Sequence, residues 1–137
     1  MLNSVLESSA AVNRDNFLKK VFDFKKKNRL LSRPDFQAVF KHHSHKVTTQ
    51  QFTVLLQSQQ ASHNTDAKLG IIVPKQKTKH AVVRNRIRRV IRESFRHQKY
   101  LLKGWNIIVL LRSQCSTVDK KLLREKVDQL WRQVNHY

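Results

Sequence analysis

The stretch from Arg84 to Arg96 reads RNRIRRVIRESFR and decides how the chain folds around its centre. It holds six arginines, with an apolar residue at every third or fourth position. At about 100° per residue, as in an α-helix, the apolar residues gather on one arc. That arc holds Val83, Ile87, Val90, Ile91 and Ser94, with Phe95 at its margin. The pattern predicts a helix from about His80 to Gln98 that packs one face against a core.

The opposite face of this helix is cationic. It carries Asn85, Arg88, Arg89, Arg92 and Arg96, with Arg84 and Arg86 on its flanks. The planar guanidinium group of arginine matches the geometry of phosphate and stacks on bases. One acid, Glu93, is spaced to pair with Arg89 and Arg96 along the helix. Because one carboxylate cannot neutralise six arginines, this face is expected to bind something anionic.

The whole chain is strongly basic. Its 137 residues fit one domain and include 28 Lys and Arg against nine Asp and Glu, a formal net charge of +19. Between Lys75 and Lys103 there are eleven Lys or Arg and one acid, so 11 − 1 gives +10 in that segment alone. Such an excess is tolerated mainly where a polyanion neutralises it. Nucleic acid is therefore the first candidate partner and an anionic membrane the second.

A membrane partner is not expected. The longest apolar run, Trp105 to Leu111, is of strand length, whereas a spanning helix needs about 20 residues. The N-terminus lacks the pattern of a secretory signal. The single cysteine, Cys115, forms no internal disulfide, which agrees with a reducing compartment.

The segments around the basic helix predict the remaining elements. Ser32 and Pro34 are typical of a helix start, and Phe36, Val39 and Phe40 continue that helix to about Lys41. The polar segment 46–50 is a turn or the edge of a sheet. Strands are predicted at 52–58, at 69–73 before Pro74, and at 105–111, the last two buried on both faces.

The last helix is predicted from its cap and its apolar spacing. Ser116 to Asp119 has the form of a capping box. Leu123, Val127, Leu130 and Val134 then share one face, with Trp131 beside them. The order helix, strand, strand, helix, strand, helix predicts a mixed sheet covered by helices.

The first 28 residues are predicted to be an extension of a domain that spans residues 29–137. Residues 19–27 form a basic patch interrupted by aromatics. Two interpretations stay open here, a flexible arm that touches RNA or a solvated tail.

The acidic residues do not favour a self-contained nuclease, so no catalytic residue is assigned. A protein nuclease that uses two metals needs clustered carboxylates, and here they are scattered. They are Glu7, Asp15, Asp23, Asp35, Asp66, Glu93, Asp119, Glu125 and Asp128. His42, His43 and His45 form the only suggestive metal pattern; surface or RNA-facing histidines are the favoured interpretation, because no cysteine pair completes a zinc site.

From Asn28 onward the chain resembles the bacterial ribonuclease P protein subunit. The arginine-asparagine-arginine block at Arg84–Arg86 with the basic positions after it is the most specific part of the match. The other matching pieces are Asn28-Arg29-Leu30, Asp35-Phe36, Val39-Phe40-Lys41, Leu69-Gly70-Ile71, Val73, Lys75, Ile91-Arg92-Glu93-Ser94-Phe95-Arg96 and Leu130-Trp131-Arg132.

The resemblance implies a fold and an activity. The family's fold is an α+β sandwich, a mixed sheet of about four strands with three helices and a left-handed β-α-β crossover that places the basic helix. The enzyme removes the 5′ leader of precursor tRNA in the bacterial cytoplasm. Its RNA subunit, with bound Mg²⁺, performs the hydrolysis, and the protein holds the leader and supports the RNA. The expected partners are thus the ribonuclease P RNA and precursor tRNA, with no DNA.

The resemblance also implies residue roles. The RNA-binding set is Arg84, Asn85, Arg86, Arg88, Arg89, Arg92 and Arg96. The leader-binding set is Phe36, Phe40, Leu55, Lys75 and Lys77. Leu55 stands where some relatives carry tyrosine, which leaves apolar contact without stacking, and core packing remains the alternative for Phe36 and Phe40. On the same strand Phe52 is expected to face the other way, into the core.

The alternative function is that of a structural RNA-binding protein of the ribosomal type.

Overall fold

The computed structural model describes residue 24 and residues 26–59, 66–114 and 119–134. Cys115, Ser116 and nearly all of the predicted N-terminal extension lie outside the described residues. The division of the chain at residue 28 therefore stays a prediction. Within the described part, a 3₁₀ turn at Lys26–Asn28 packs against the domain, and the buried Asn28 side chain donates to the Ala67 carbonyl at 3.2 Å.

The described residues form three helices and four strands, as predicted. The elements are α1 (Arg33–His42), β1 (His45–Thr48), β2 (Phe52–Ser58), β3 (Lys68–Ile72), α2 (Ala81–Gln98), β4 (Trp105–Leu111) and α3 (Lys120–Val134). The polar segment after α1 is a strand, because β1 pairs with β2 at the edge of the sheet. No helix in this described part is both long and apolar enough to span a bilayer.

The sheet is mixed, with the strand order β1-β2-β4-β3. β2 pairs antiparallel with β1 and β4, whereas β3 runs parallel to β4. Val109 of β4 lies opposite Val54 on one side and Ile71 on the other. The parallel pair is joined through α2, so the basic helix is the crossover of a β-α-β unit. The left hand expected for that crossover stays a prediction of the family resemblance.

One expectation about the strands, that β3 is buried on both faces, is met only in part. Both faces of β3 are packed, with Leu69 in the core under α2 and α3 and Gly70 against Phe36 of α1, but Ile71 and Ile72 are only half-buried because β3 is an edge strand. Its outer edge is partly covered by the chain before α1, since Arg29 bridges Leu69 in parallel. A short apolar run predicts a strand but carries no information about that strand's place in the sheet. β4, in contrast, is central, and its residues 107–109 are fully buried as predicted.

The sheet separates two cores. On one face α2 and α3 pack on Phe52, Val54 and Leu56 of β2 and on the matching residues of β4. On the other face α1 packs through Val39 and Phe36 onto Leu55 and Ile108. Phe52 and Leu55 therefore face opposite sides of the sheet, as expected from the alternation of side chains along a strand.

The starts of α1 and α3 are stabilised by local side chains. The Ser32 hydroxyl accepts from the Asp35 amide at 3.3 Å, which confirms the predicted cap of α1. At α3 the cap is Asp119, whose Oδ1 accepts from the amides of Lys121 and Leu122 at 3.1 and 3.3 Å. A carboxylate at this position also favours the positive end of the helix dipole.

At Gly70 of β3 the Phe36 side chain of α1 lies close against the backbone of the sheet. A methyl group at this position would lie 2.5 Å from Cε1 and 2.7 Å from Cζ of Phe36. We expect Gly70→Ala to displace the Phe36 ring and to destabilise the protein by about 1–3 kcal/mol. That cost exceeds the roughly 0.5–1 kcal/mol by which alanine is normally preferred over glycine in a strand.

The measurement is urea unfolding of Gly70→Ala beside the unmodified chain. The double variant Gly70→Ala/Phe36→Leu is the matched control, because the shorter side chain at 36 removes the clash and should recover part of the loss. An unchanged unfolding free energy for Gly70→Ala would contradict the close approach.

Candidate nucleic-acid interface

Helix α2 has the two faces that its sequence predicts. Ile87, Val90, Ile91, Ser94 and Phe95 are buried, and Val83 is half-buried at the start of the same stripe. Asn85, Arg86 and Arg89 are exposed on the other side, and Arg84, Arg88, Arg92 and Arg96 are half-buried. The apolar face of α2 is packed into the core from Ile87 to Phe95, and the guanidinium groups therefore lie at the surface.

Two of these arginines are occupied by partners within the protein. Arg84 Nη1 donates to the carbonyls of Thr78 and Lys79, each at 2.9 Å. These contacts tie the preceding loop to the start of α2, whose N-cap residue His80 makes no side-chain capping bond. Arg96 Nη1 pairs with Glu93 Oε1 at 2.9 Å, as predicted, but the expected second pair of Glu93 with Arg89 does not form.

The central arginines of α2 lack such compensation. Burial lowers the pKa of Arg92, and the positive charges of Arg29, Arg88 and Arg89 lower it further. No acid appears among the causes of this shift, and arginine stays charged at neutral pH even so. The charges at Arg88, Arg89 and Arg92 therefore repel one another, and an anion at this surface would relieve the repulsion.

A pocket of about 230 Å³ opens beside these arginines, and we call it the Arg29 pocket. Its charged lining is Arg29 from the chain before α1 together with Arg88 and Arg92 from α2. Its aromatic lining is Phe24 and Phe36, and Gly70 and its neighbours in β3 form the floor. Of the described residues that line it, none is acidic. The fold thus brings Phe36 of the leader-binding set next to two members of the RNA-binding set.

The other leader-binding residues differ in what they expose. Phe40 leaves 42% of its surface open, whereas Leu55 is only 5% exposed beneath α1. Phe36 is half-buried between the α1 core and the Arg29 pocket. Lys75 is exposed and Lys77 half-buried in the turn that precedes α2. Phe40 and the two lysines are accessible to a ligand, whereas Leu55 packs in the core beneath α1.

A series of hydrogen-bonded amide side chains crosses the α1 side of the sheet. The sequence pattern did not predict it. Gln57 Nε2 donates to the Ala38 carbonyl of α1 at 3.5 Å, and Asn106 Nδ2 donates to Gln57 Oε1 at 3.2 Å. Gln59 Nε2 donates in turn to Asn106 Oδ1 at 2.8 Å. Cross-strand pairing of Gln57 with Asn106 is visible only once the register is known. Through the Gln57 contact with Ala38, this network links α1 to the sheet.

The histidines after α1 make ordinary surface contacts. His43 Nδ1 lies 3.0 Å from the Phe40 carbonyl and 3.2 Å from that of Val39, and the His45 ring packs edge-on against Trp105 at 5.4 Å. Across the described ranges, no group of three or more His, Cys, Asp or Glu residues is placed to hold a metal ion.

Behind the arginine face, α2 is held by a buried polar contact with α3. Trp131 Nε1 donates to Ser94 Oγ at 2.8 Å, and the Ser94 hydroxyl donates to the Asp128 carboxylate. Asp128 also pairs with Arg124 Nε at 3.1 Å. Sequence spacing does not predict this contact of Asp128, because its partner Ser94 lies on another helix. The contact orients α2 so that its arginines face outward.

Comparisons with known proteins agree with this arrangement. The Ribonuclease P family model matches residues 24–135. The ribonuclease P protein component of Pseudomonas aeruginosa is 35% identical over 112 residues, which cover 82% of this chain and 81% of that protein. That of a Marinomonas species is 38% identical over 106 residues, covering 77% and 78%.

Solved structures show the same fold. The ribonuclease P protein of Staphylococcus aureus superposes with a TM-score of 0.70 at 28% identity, covering 80% of this chain and 96% of that one. That of Thermotoga maritima gives a TM-score of 0.63 at 32% identity, covering 77% and 96%. These matches favour the ribonuclease P interpretation over the ribosomal alternative. With its arginine-bearing crossover helix, its four-stranded mixed sheet and a family match over most of its length, the chain belongs to the ribonuclease P protein family.

Proposed function

We propose that this chain binds the RNA subunit of ribonuclease P and the 5′ leader of precursor tRNA in the bacterial cytoplasm. The observation that carries the proposal is the arginine face of α2, on which Arg88, Arg89 and Arg92 crowd together and no acid from the described lining of the Arg29 pocket offsets their charge. Phosphate is the anion that best fits forked guanidinium donors. The exposed side chains of the helix are accessible to an RNA that lies along it; they are Asn85, Arg86 and Arg89.

The leader is assigned to the α1 side of the domain. The Phe40 ring is accessible there, and an aromatic ring stacks on unpaired bases at about 1–3 kcal/mol per base without demanding a sequence. Lys75 and Lys77 precede α2 and would pair with phosphates of the same strand. Such a surface holds single-stranded RNA through stacking and charge, which suits leaders of differing sequence.

Hydrolysis itself is assigned to the RNA subunit with its Mg²⁺ ions. The protein's part is to bind and orient, and its charge lowers the electrostatic cost of bringing two RNA molecules together. Several of the described carboxylates are engaged in the fold: Glu93 pairs with Arg96, Asp66 with Lys27, and Asp128 bonds Ser94 and Arg124. Asp35 and Asp119 lie at the starts of helices.

The test is cleavage of precursor tRNA by purified components over a range of Mg²⁺ concentrations. We expect the protein alone to give no product, and its addition to a ribonuclease P RNA to lower the Mg²⁺ concentration needed for cleavage. An unchanged Mg²⁺ requirement would favour the ribosomal-type alternative. Cleavage by RNA-free protein that survives neutralisation of the α2 arginines would overturn the assignment of the chemistry to RNA.

A further inference from the structure

The Arg29 pocket forms where four segments of the chain meet: the chain before α1, α1 itself, β3 and α2. The segment before α1 runs along the free edge of β3, with a hydrogen bond from the Leu30 amide to the Leu69 carbonyl at 3.1 Å. α2 passes on the other side and contributes Arg88 and Arg92. The pocket therefore lies at the boundary between the arginine face and the α1 side of the sheet, the two surfaces to which RNA is assigned above.

Arg29 is held in place before any ligand binds. Its guanidinium carbon lies 4.8 Å from the centroid of the Phe24 ring, and Nη2 donates to the Phe24 carbonyl at 3.4 Å. Phe24 is itself anchored edge-on against the buried Phe95 of α2 at 5.7 Å. A side chain held in this way loses little conformational entropy on binding a ligand, so its hydrogen bonds are available at low cost.

The lining selects for one anion rather than for a neutral ligand. Three guanidinium groups converge on the pocket, and no acid from the described lining neutralises them. The non-ester oxygens of a phosphate group can each accept from a different arginine, which spreads the charge of one anion over all three. The Phe24 and Phe36 rings belong to the apolar part of the wall, which suits the carbon atoms of a sugar.

The pocket is small beside sites that enclose a complete ligand. At about 230 Å³ it is smaller than the roughly 300–1,000 Å³ of pockets that enclose drug-sized ligands. A phosphate with part of its ribose fits this volume better than a complete nucleotide with its base. Sequence readout is therefore not expected here.

We propose that the Arg29 pocket binds a single backbone phosphate of RNA, with Arg29 as a phosphate-binding residue that acts together with Arg88 and Arg92. This inference rests on the proposed function, since it requires that the chain binds RNA. It adds a residue from outside the basic helix to the RNA-binding set. It also predicts that one phosphate is bound at a defined position, whereas the helix face alone would contact several phosphates along its length. The phosphate comes from the RNA subunit or from the leader.

The experiment compares Arg29→Gln with Arg132→Gln. Arg132 is an exposed arginine on α3, so its substitution removes the same charge outside the pocket. Two affinities are measured over a range of salt concentrations, that of the protein for ribonuclease P RNA and that of the holoenzyme for precursor tRNA. Mature tRNA without a leader serves as the reference substrate.

For Arg29→Gln we expect roughly a tenfold loss of affinity, in line with the loss of a hydrogen bond to a charged group. The slope of log affinity against log salt should become shallower by about 0.9, the value for one phosphate. A loss confined to the RNA subunit places the phosphate there, and a loss confined to precursor over mature tRNA places it in the leader. Equal behaviour of Arg29→Gln and Arg132→Gln in both measurements overturns the proposal.

Failure of the pocket and failure of the proposed function give different results. If the unmodified chain does not bind ribonuclease P RNA, the proposed function fails; if it binds and Arg29→Gln has no specific effect, only the pocket fails. Since Arg29 also packs on Phe24, its variant is first checked for folding by circular dichroism. Should it not fold, inorganic phosphate is titrated into the unmodified chain and followed by NMR of the arginine Nε groups. A concerted, saturable shift of Arg29 and Arg92 supports the site, and the absence of one overturns it.

Discussion

Replacing both Arg88 and Arg92 by alanine is expected to lower the affinity for ribonuclease P RNA or precursor tRNA by at least roughly 10²-fold, with the fold intact. Each hydrogen bond to a charged group contributes about 1.5–3 kcal/mol, and about 1.4 kcal/mol corresponds to a factor of ten. Both arginines line the Arg29 pocket and lie on the outward face of α2. Their loss removes two of the three guanidinium groups that converge there.

The same substitutions should not destabilise the free protein. The pKa of Arg92 is lowered by burial and by three neighbouring arginines, so its charged form is disfavoured in the folded chain relative to the unfolded one. A cation of this kind costs stability at every pH below its folded-state pKa, which includes the whole neutral range, and the cost disappears only as pH rises through that pKa. Removing the charge removes the cost, so the urea midpoint is expected to stay level or rise.

Salt dependence identifies the cause of the affinity loss. If the α2 face makes about six phosphate contacts, the affinity of the unmodified chain should fall by roughly 10³ between 50 and 200 mM salt. In the double variant this slope should be shallower by about 1.8, corresponding to two lost contacts. Arg132→Ala on α3 is the matched control. A folded double variant with unchanged affinity at moderate salt would refute the role of these arginines.

Trp131→Ala is expected to cost about 3–5 kcal/mol of folding free energy, the range for deleting a buried aromatic side chain. Trp131 is fully buried, packs against Phe95 with ring centroids 5.9 Å apart, and donates to Ser94 Oγ at 2.8 Å. Its removal leaves a cavity between α2 and α3 and takes one partner from Ser94. Since small domains are stable by only about 5–15 kcal/mol, this is a large part of the total.

Urea unfolding of three variants separates the contributions at this position. Trp131→Phe retains most of the ring volume but lacks the Nε1 donor, so the cost should fall to about 1–3 kcal/mol for a buried acceptor left without its donor. Leu122→Ala, at an exposed position of the same helix, should change stability by about 0.5 kcal/mol or less. RNA affinity measured well below the unfolding temperature should also fall in Trp131→Ala, because α3 no longer orients α2. A cost below that of Leu122→Ala would contradict the assigned core contact.

The helices and strands were largely readable from the sequence because they depend on local patterns. The 3.6-residue period of α2 placed Ile87, Val90 and Ile91 on the buried face, and residues 105–111 were assigned to β4 as the structure has it. Errors occurred where the outcome depended on distant segments. β3 was expected to be fully buried, but Ile71 and Ile72 are only half-buried because it is an edge strand, and Glu93 was expected to pair with Arg89 as well as with Arg96.

The candidate site was predicted in part for the same reason. The arginine face lies within one helix, so its composition and orientation follow from helical spacing. Asp128 and Arg29 were missed as site or support residues, because each is defined by a partner far away in sequence: Ser94 for the first, and the lining of the Arg29 pocket for the second. A possible signal for Arg29 was its place in the Asn28-Arg29-Leu30 match to the family, to which no role was attached.

The sequence by itself determined that this protein has a helix with a buried apolar face and an outward arginine face, and that its charge calls for a polyanion. Both follow from residue type and short-range spacing, which act within a few turns of chain. Only the tertiary structure decided which charges meet. Phe24, Arg29, Phe36, Gly70 and Arg92 lie on four segments, and they converge because the segment before α1 pairs with the edge of β3 while α2 crosses beside it. That convergence depends on strand order and packing, which no local pattern encodes.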